Sequence, residues 1–430
     1  MLAVGGCGSG AGKRVIRTEA SGPPGVVRVA LTDFRWPLDP ALVRGRDETT
    51  LARALYSTPL RIDAATGAPT AGLCSGWAAS DELHTWTLTC RNAPAIAAAL
   101  RRVGRLTDAP SHWLFADARI AAPSASRLVV RLPFAWRRFP YALTAVAAAP
   151  RFVPGPFRVV SGSPDNIIAR SNTLTLDFRR YTARAAQRAF ERGEVDEAPV
   201  PLGEIARTRA RLGDDVVRSR TLLALDAVTL RRLRPELRRV YWDTAGRNDY
   251  AELVAEERGA AALSVVSRDV KGTPRAYRRA VGSIPTLPRV RVRIGVPADA
   301  TLRYGARVLY AQWRDVGLGP QLVTEPAAAL DGSLTRWFAS YPQAEALPAE
   351  LALGARIGSR ALALRALAAA DQGAALDALD DDLRASARLV PVSWVVDARV
   401  VSPRLRGWSD DALGAVDYAA VRSLASSRRR

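Results

Sequence analysis

Lysine is nearly missing from this chain: of 62 basic residues only Lys13 and Lys271 are lysine, and the rest are arginine. Set against 42 acidic residues, this leaves a net charge of +20, which invites a nucleic-acid reading. The distribution argues against it. The arginines are scattered, with pairs at Arg101-Arg102, Arg137-Arg138 and Arg231-Arg232, and no long basic run is interleaved with aromatics. Alanine, valine and glycine are abundant, so arginine replacing lysine throughout fits GC-rich codons. The Arg428-Arg429-Arg430 tail reads as a solvated end, and no nucleic acid is expected as a partner. A basic surface would favour anionic lipid or wall polymers instead.

Histidine is as scarce. His84 and His112 stand near Trp86 and Trp113, and neither shares metal-ligand spacing with a cysteine or carboxylate. No metal and no cofactor is expected. Asp380-Asp381-Asp382 falls on a helical pattern and reads as a solvated face. No Gly-x-Ser-x-Gly elbow favours a hydrolase. Gly8 to Arg14 looks like a phosphate loop, but Cys7 stands where its first glycine belongs, and Arg14 where magnesium needs a hydroxyl. With no acid–base or nucleophile constellation, an enzyme is not expected. Nor does any apolar run reach the roughly 20 residues that span a bilayer.

What is present begins with three cysteines. Val4-Gly5-Gly6-Cys7 reads either as a lipobox, whose cysteine becomes lipid-modified, or as a chance small-residue run. As a lipobox it implies a membrane-anchored lipoprotein. Leu2 to Val4 is shorter than the h-region of roughly 7–15 residues that a signal needs, so the true start would then lie upstream. Residues 8–25 are rich in Gly, Ser and Pro and read as a tether. Leu73 to Arg91 reads as two strands around a turn at Ser80 to Leu83. The implied register sets Gly76 opposite Leu88, Ala78 opposite Trp86, and Cys74 opposite Cys90. Those two cysteines then form either a disulfide in an oxidising compartment or a pair of buried thiols.

At 430 residues, 48% of them hydrophobic, the chain exceeds what one core serves, and two lobes are expected. Val26 to Leu31 reads as an apolar strand. Glu48 to Tyr56 and Ala93 to Arg102 read as helices, and Arg127 to Leu132 as a strand. Ala183 to Arg192 is a helix stopped by Gly193, followed by a strand over Val195 to Val200. Val290, Val292, Ile294 and Val296 alternate with other residues as in a strand with one apolar face. Ala300 to Val316 is helical, with Leu302, Ala306, Leu309 and Trp313 on one stripe, and Gln321 to Thr324 begins another strand. This is a βαβ pattern. A helix over Gly373 to Arg388 and a strand over Val390 to Val395 complete an α/β chain.

The order of several short motifs resembles the extracellular solute-binding proteins of ABC importers, in the peptide-, nickel- and opine-binding family (family 5). Leu38-Asp39-Pro40, Ala54-Leu55-Tyr56, and Asp63 through Thr66-Gly67 and Pro69 follow the first strand. Leu73 to Trp77 and Trp86 to Arg91 resemble the family's hairpin. Pro154 to Phe157, Asn172, Phe190 to Asp196 and Arg238 to Arg247 continue the series. Trp337 to Pro342, Val390 to Val392 and Ser402 to Trp408 close it. The resemblance covers about Val26 to Trp408. It implies a two-lobed periplasmic-binding-protein-like fold (type II), with lobe I at 26–227 plus 393–430 and lobe II at 228–392. Asn92 to Gly104 lacks the family's Phe-His-Asp-Gly motif, so a trimmed first lobe is expected.

The same resemblance implies solute capture in an interlobe cleft and delivery to an ABC permease by an extracytoplasmic monomer. Its ligand-binding candidates are Asp33, Phe34, Arg35 and Trp36 before Leu38, and Trp337, Phe338, Ala339, Ser340 and Tyr341. In peptide binders of the family an aspartate at the place of Ser340 pairs with the ligand's amine, and a serine cannot supply that charge. Two other readings stay open. One is a transport-defunct receptor-like or structural relative, separable by a bound solute. The other is a basic nucleic-acid-binding protein, separable by salt-sensitive DNA retention.

Overall fold

The computed structural model describes residues 23–63, 66–267, 290–326 and 329–424. Cys7, most of the tether, Lys13, Lys271 and the terminal arginines lie outside the described residues. Ten strands form one sheet. In chain order they are β1 (Val26–Leu31), β6 (Arg158–Gly162), β7 (Asn166–Arg170), β8 (Thr175–Arg180), β9 (Glu197–Pro199) and β10 (Val217–Thr229), then β11 (Arg291–Val296), β12 (Gly319–Thr324), β13 (Gly332–Phe338) and β14 (Leu389–Val401). Their spatial order is β12-β11-β13-β10-β14-β9-β1-β8-β7-β6. A second sheet holds β2 (Cys74–Ala79), β3 (Thr85–Cys90), β4 (Arg119–Ala121) and β5 (Arg127–Arg131), in the order β2-β3-β5-β4.

The two strands at the middle of the large sheet decide the architecture. β10 and β14 each run 13 residues and pair antiparallel. The register breaks between Thr221 and Leu225 and again after Asp226. Beyond the first break β10 also pairs with β13, while β14 continues to β9 at its far end. The same two strands therefore tie a wing built on β11–β13 to a wing built on β1 and β6–β9. In the first wing, α6 (Ala300–Asp315) crosses between the parallel strands β11 and β12. Leu302, Ala306, Leu309 and Trp313 form its buried stripe, as the sequence pattern implies. Val290 stays exposed, and the strand starts one residue later than its alternation suggests.

Around the sheets lie α1 (Gly45–Leu55), α2 (Ala93–Arg105), α3 (Ala183–Glu191), α4 (Ile205–Leu212), α5 (Pro235–Thr244), α7 (Arg360–Ala368) and α8 (Gln372–Ser386). α3 closes where Gly193 takes φ 70°, a left-handed turn suited to glycine. One apolar core runs from the small sheet and α2, through Leu88, Ile96, Leu128 and Trp136, to Leu367 and Leu379 on α7 and α8. The acidic triplet on α8 is structural. Asp380 accepts from the Val265 amide at 2.9 Å and pairs with Arg384 at 2.8 Å, and Asp382 accepts from the Ser359 amide at 2.8 Å.

Cys74 and Cys90 are bridged, with S–S 2.09 Å. The register between them differs from the expected one. Gly76 pairs with Thr89, Trp77 with Leu88 and Ala78 with Thr87, one residue out of step, and a bulge at Ser75 restores Cys74 opposite Cys90. An extra residue in one strand shifts every pair beyond it, and no side chain at Ser75 announces it.

Candidate functional site

A cleft of about 750 Å³ lies where the two wings meet. Thr32 and Asp33, just past β1, and the start of α1 form one wall, with Trp113 from the connection after α2. β13 and the residues after it, Thr335 to Ser340, form the facing wall with Asp299 at the head of α6. The floor is Val395, Asp397 and Arg399 of β14 and Leu222 of β10.

The floor is an ion network. Arg46 Nη2 meets Glu197 at 3.0 Å and its Nε meets Asp397 at 3.2 Å. Arg399 Nη2 meets Asp47 at 2.7 Å and its Nη1 meets Glu197 at 3.2 Å. Trp408 Nε1 and the Tyr418 hydroxyl donate to the other Glu197 oxygen at 2.7 and 2.6 Å. Burial alone would raise the Asp47 and Glu197 carboxyls, but the two guanidinium groups override it and hold both below their usual range. Two arginines facing Asp47, Glu197 and Asp397 leave one net negative charge beneath the cleft.

The facing wall is set by strand pairing. Phe338 lies opposite Ala224 and Trp337 opposite Leu225, immediately past the register break in β10. Gly45 takes φ 73° with its backbone against the Phe338 ring, where an added Cβ would stand 3.5 Å away. Ala339 donates its amide to the Leu223 carbonyl at 2.9 Å. The Ser340 hydroxyl donates to Glu350 Oε2 at 3.0 Å and accepts from Trp113 Nε1 at 3.4 Å. Glu350 itself lines the cleft yet is only 7% exposed. Burial pushes its carboxyl up to about 8, against the opposing pull of the Ser340 hydroxyl and the nearby Trp113 indole.

The sequence candidates divide. Trp337, Phe338, Ala339 and Ser340 line the cleft together. Tyr341 does not: it is fully buried, its ring 6.3 Å from Trp113 and 6.0 Å from Trp136. The earlier segment turns away at its side chains. Phe34 is core, with Arg180 stacked 4.3 Å over its ring. Arg35 pairs with Glu48 at 2.8 Å. Trp36 covers Gly162 on the edge strand β6, where a Cβ would stand 2.4 Å from the indole. Of that segment Asp33 lines the cleft, together with its neighbour Thr32. Glu350, Trp113 and the floor network escaped the sequence reading. A lone carboxylate within Ala346-Leu347-Pro348-Ala349-Glu350-Leu351-Ala352 was the available signal. His84 and His112 each place a ring nitrogen 3.3 Å from a backbone carbonyl, of Leu132 and Val103. No group of three or more metal-ligating side chains suited to an ion occurs among the described residues.

No family model and no curated protein sequence matches the chain. Solved structures do. The murein tripeptide binding protein MppA of Escherichia coli superposes with a TM-score of 0.78 at 14% identity, over 94% of this chain and 99% of its own. OppA of Haemophilus influenzae, in complex with RPPGFSPFR, gives 0.77 at 14% over 93% and 99%. OppA of Burkholderia pseudomallei gives 0.75 at 15% over 94% and 100%. The chain has the two-lobed OppA-type binding-protein fold. The cleft lies beside β10 and β14, the strands that join the two wings of the sheet. Trp113 and Trp136 both pack on Tyr341. In the described part of this OppA-type fold no helix is long and apolar enough to cross a membrane.

Proposed function

We propose that this protein is a lipid-anchored extracytoplasmic solute-binding protein. It captures a peptide-like or other small solute between its lobes and passes it to the permease of an ABC importer. Lobe I comprises residues 26–227 and 393–430 and lobe II residues 228–392, so the chain changes lobes along β10 and β14. The observation that carries the reading is the cleft of about 750 Å³ at that crossing, within the range of pockets that bury small ligands. The proteins with this fold include binders of a murein tripeptide, of RPPGFSPFR and of Met-Leu. The Cys74–Cys90 bridge supports an oxidising compartment, and Cys7 is the anchor.

Lobe closure around the solute would supply the contacts that shift the open–closed equilibrium. Trp337 and Phe338 offer aromatic faces, and Asp33 and Ser340 offer polar groups to orient the solute. No chemistry is needed and no cofactor takes part. A thermal-shift screen against peptides, amino acids, sugars and metal chelates tests this, since a ligand that prefers the folded state raises Tm. Peptides are expected to be the stabilising class; a stabilising sugar or chelate, with peptides silent, would refute the peptide part of the reading, and no stabilising solute of any class would refute solute capture. Ser340, neutral where the family resemblance implies a charge, favours the second reading of a relative that no longer transports. Purified protein that stabilises with no solute would establish that one.

A further inference from the structure

Among the carboxylates that line the cleft, Asp33, Asp108 and Asp299 are exposed, and of those withdrawn from solvent Glu350 stands apart. Asp47 and Asp397 face Arg46 and Arg399. The nearby Glu345 has Arg138 at 3.8 Å. Glu350 is 93% removed from solvent, as its 7% exposure states. Among the described residues it accepts from the neutral Ser340 hydroxyl, which in turn accepts from the Trp113 indole, and no arginine pairs with it. A buried carboxylate without a cation is costly to keep charged, by several kcal/mol as a rule of thumb. One on the wall of a cleft can recover that cost from a cation in the ligand.

We propose that Glu350, held by Ser340 and Trp113, is the subsite for a primary ammonium group of the captured solute. This deepens the solute-capture reading and rests on it. The ammonium would ionise Glu350 as it binds, while Ser340 and Trp113 hold the carboxylate in place. Binding therefore displaces the carboxyl proton into solvent at neutral pH, because burial keeps the empty site's carboxyl protonated up to about pH 8. The charged groups on the neighbouring elements are His112 on the turn after α2, Arg360 and Arg365 on α7, and Glu345; burial, Ser340 and Trp113 set the state of the carboxyl.

The test is calorimetry at pH 7 with tri-alanine and N-acetyl-tri-alanine, on the wild type and Glu350→Gln. The wild type should prefer the free amine by at least about tenfold, and the variant should lose that preference. Titration in buffers of different ionisation enthalpy should show close to one proton released per free-amine peptide by the wild type. Equal affinity for the two peptides, a preference that survives E350Q, or no proton release would each overturn the assignment. An acetylated peptide bearing lysine separates a side-chain ammonium from an N-terminal one, and proton release with either supports the site. If no peptide binds, the peptide reading fails on its own, and butylamine against N-butylacetamide decides Glu350. Saturable amine binding lost in E350Q sustains it, and no saturable amine binding ends it.

Discussion

Two kinds of buried carboxyl meet at the cleft, and they respond to pH in opposite senses. Asp47 and Glu197 have folded pKa values below their unfolded ones. Their contribution to stability is present above roughly pH 4.5 and is lost as pH falls through the depressed folded values. Glu350 is raised from 4.5 to about 8. The folded state holds its proton more tightly than the unfolded chain does, so stability falls as pH rises from about 4.5 to 8, by at most about 5 kcal/mol. Urea unfolding of the ligand-free protein from pH 5 to 9 should show that decline, and E350Q should flatten it. Arg399→Ala should cost about 3–5 kcal/mol at pH 7 in the same assay, because it leaves Asp47, Glu197 and Asp397 against Arg46 alone. The exposed Arg258–Glu252 pair should matter by less than about 0.5 kcal/mol. Little of this was legible in the sequence. Arg46 and Glu197 stand 151 positions apart, Asp47 and Arg399 352, and only the fold brings them together.

At the scale of single elements, periodicity served well where one face meets solvent. α6 and its buried stripe follow from spacing alone. It failed for β10, where Leu222 to Thr229 are continuously buried and no alternation survives. For β14 it found only the first half of the strand. The β2–β3 hairpin was legible as a hairpin and its cysteine pair as partners, but the Ser75 bulge was not. The bridge spans 16 positions, and a loop of that size is worth about 3 kcal/mol. Cys74→Ser with Cys90→Ser should lower stability by that amount, read by urea unfolding, and dithiothreitol should do the same to the wild type. Asp299 accepts from the Leu302 amide at 2.8 Å and caps α6. Asp299→Ala should cost about 1 kcal/mol in the same measurement.

Across the whole molecule, the motif order from Leu38-Asp39-Pro40 to Trp408 pointed to the two-lobed fold, although the structures that share it are about 14% identical. Backbone geometry restricts which residues fit strand ends and turns, whereas no such rule restricts the side chains that face a cleft. Trp337 to Ser340 line the cleft, while one strand end away Phe34 packs into the core, Arg35 stays exposed on Glu48 and Trp36 covers Gly162. A crystal structure of the protein grown with the peptide that stabilises it most is the direct test. The peptide should lie between Asp33 and the Trp337–Ser340 segment, over the Arg46–Arg399 floor, with both lobes in contact. A peptide bound on an outer face, with the cleft unoccupied, would contradict solute capture between the lobes.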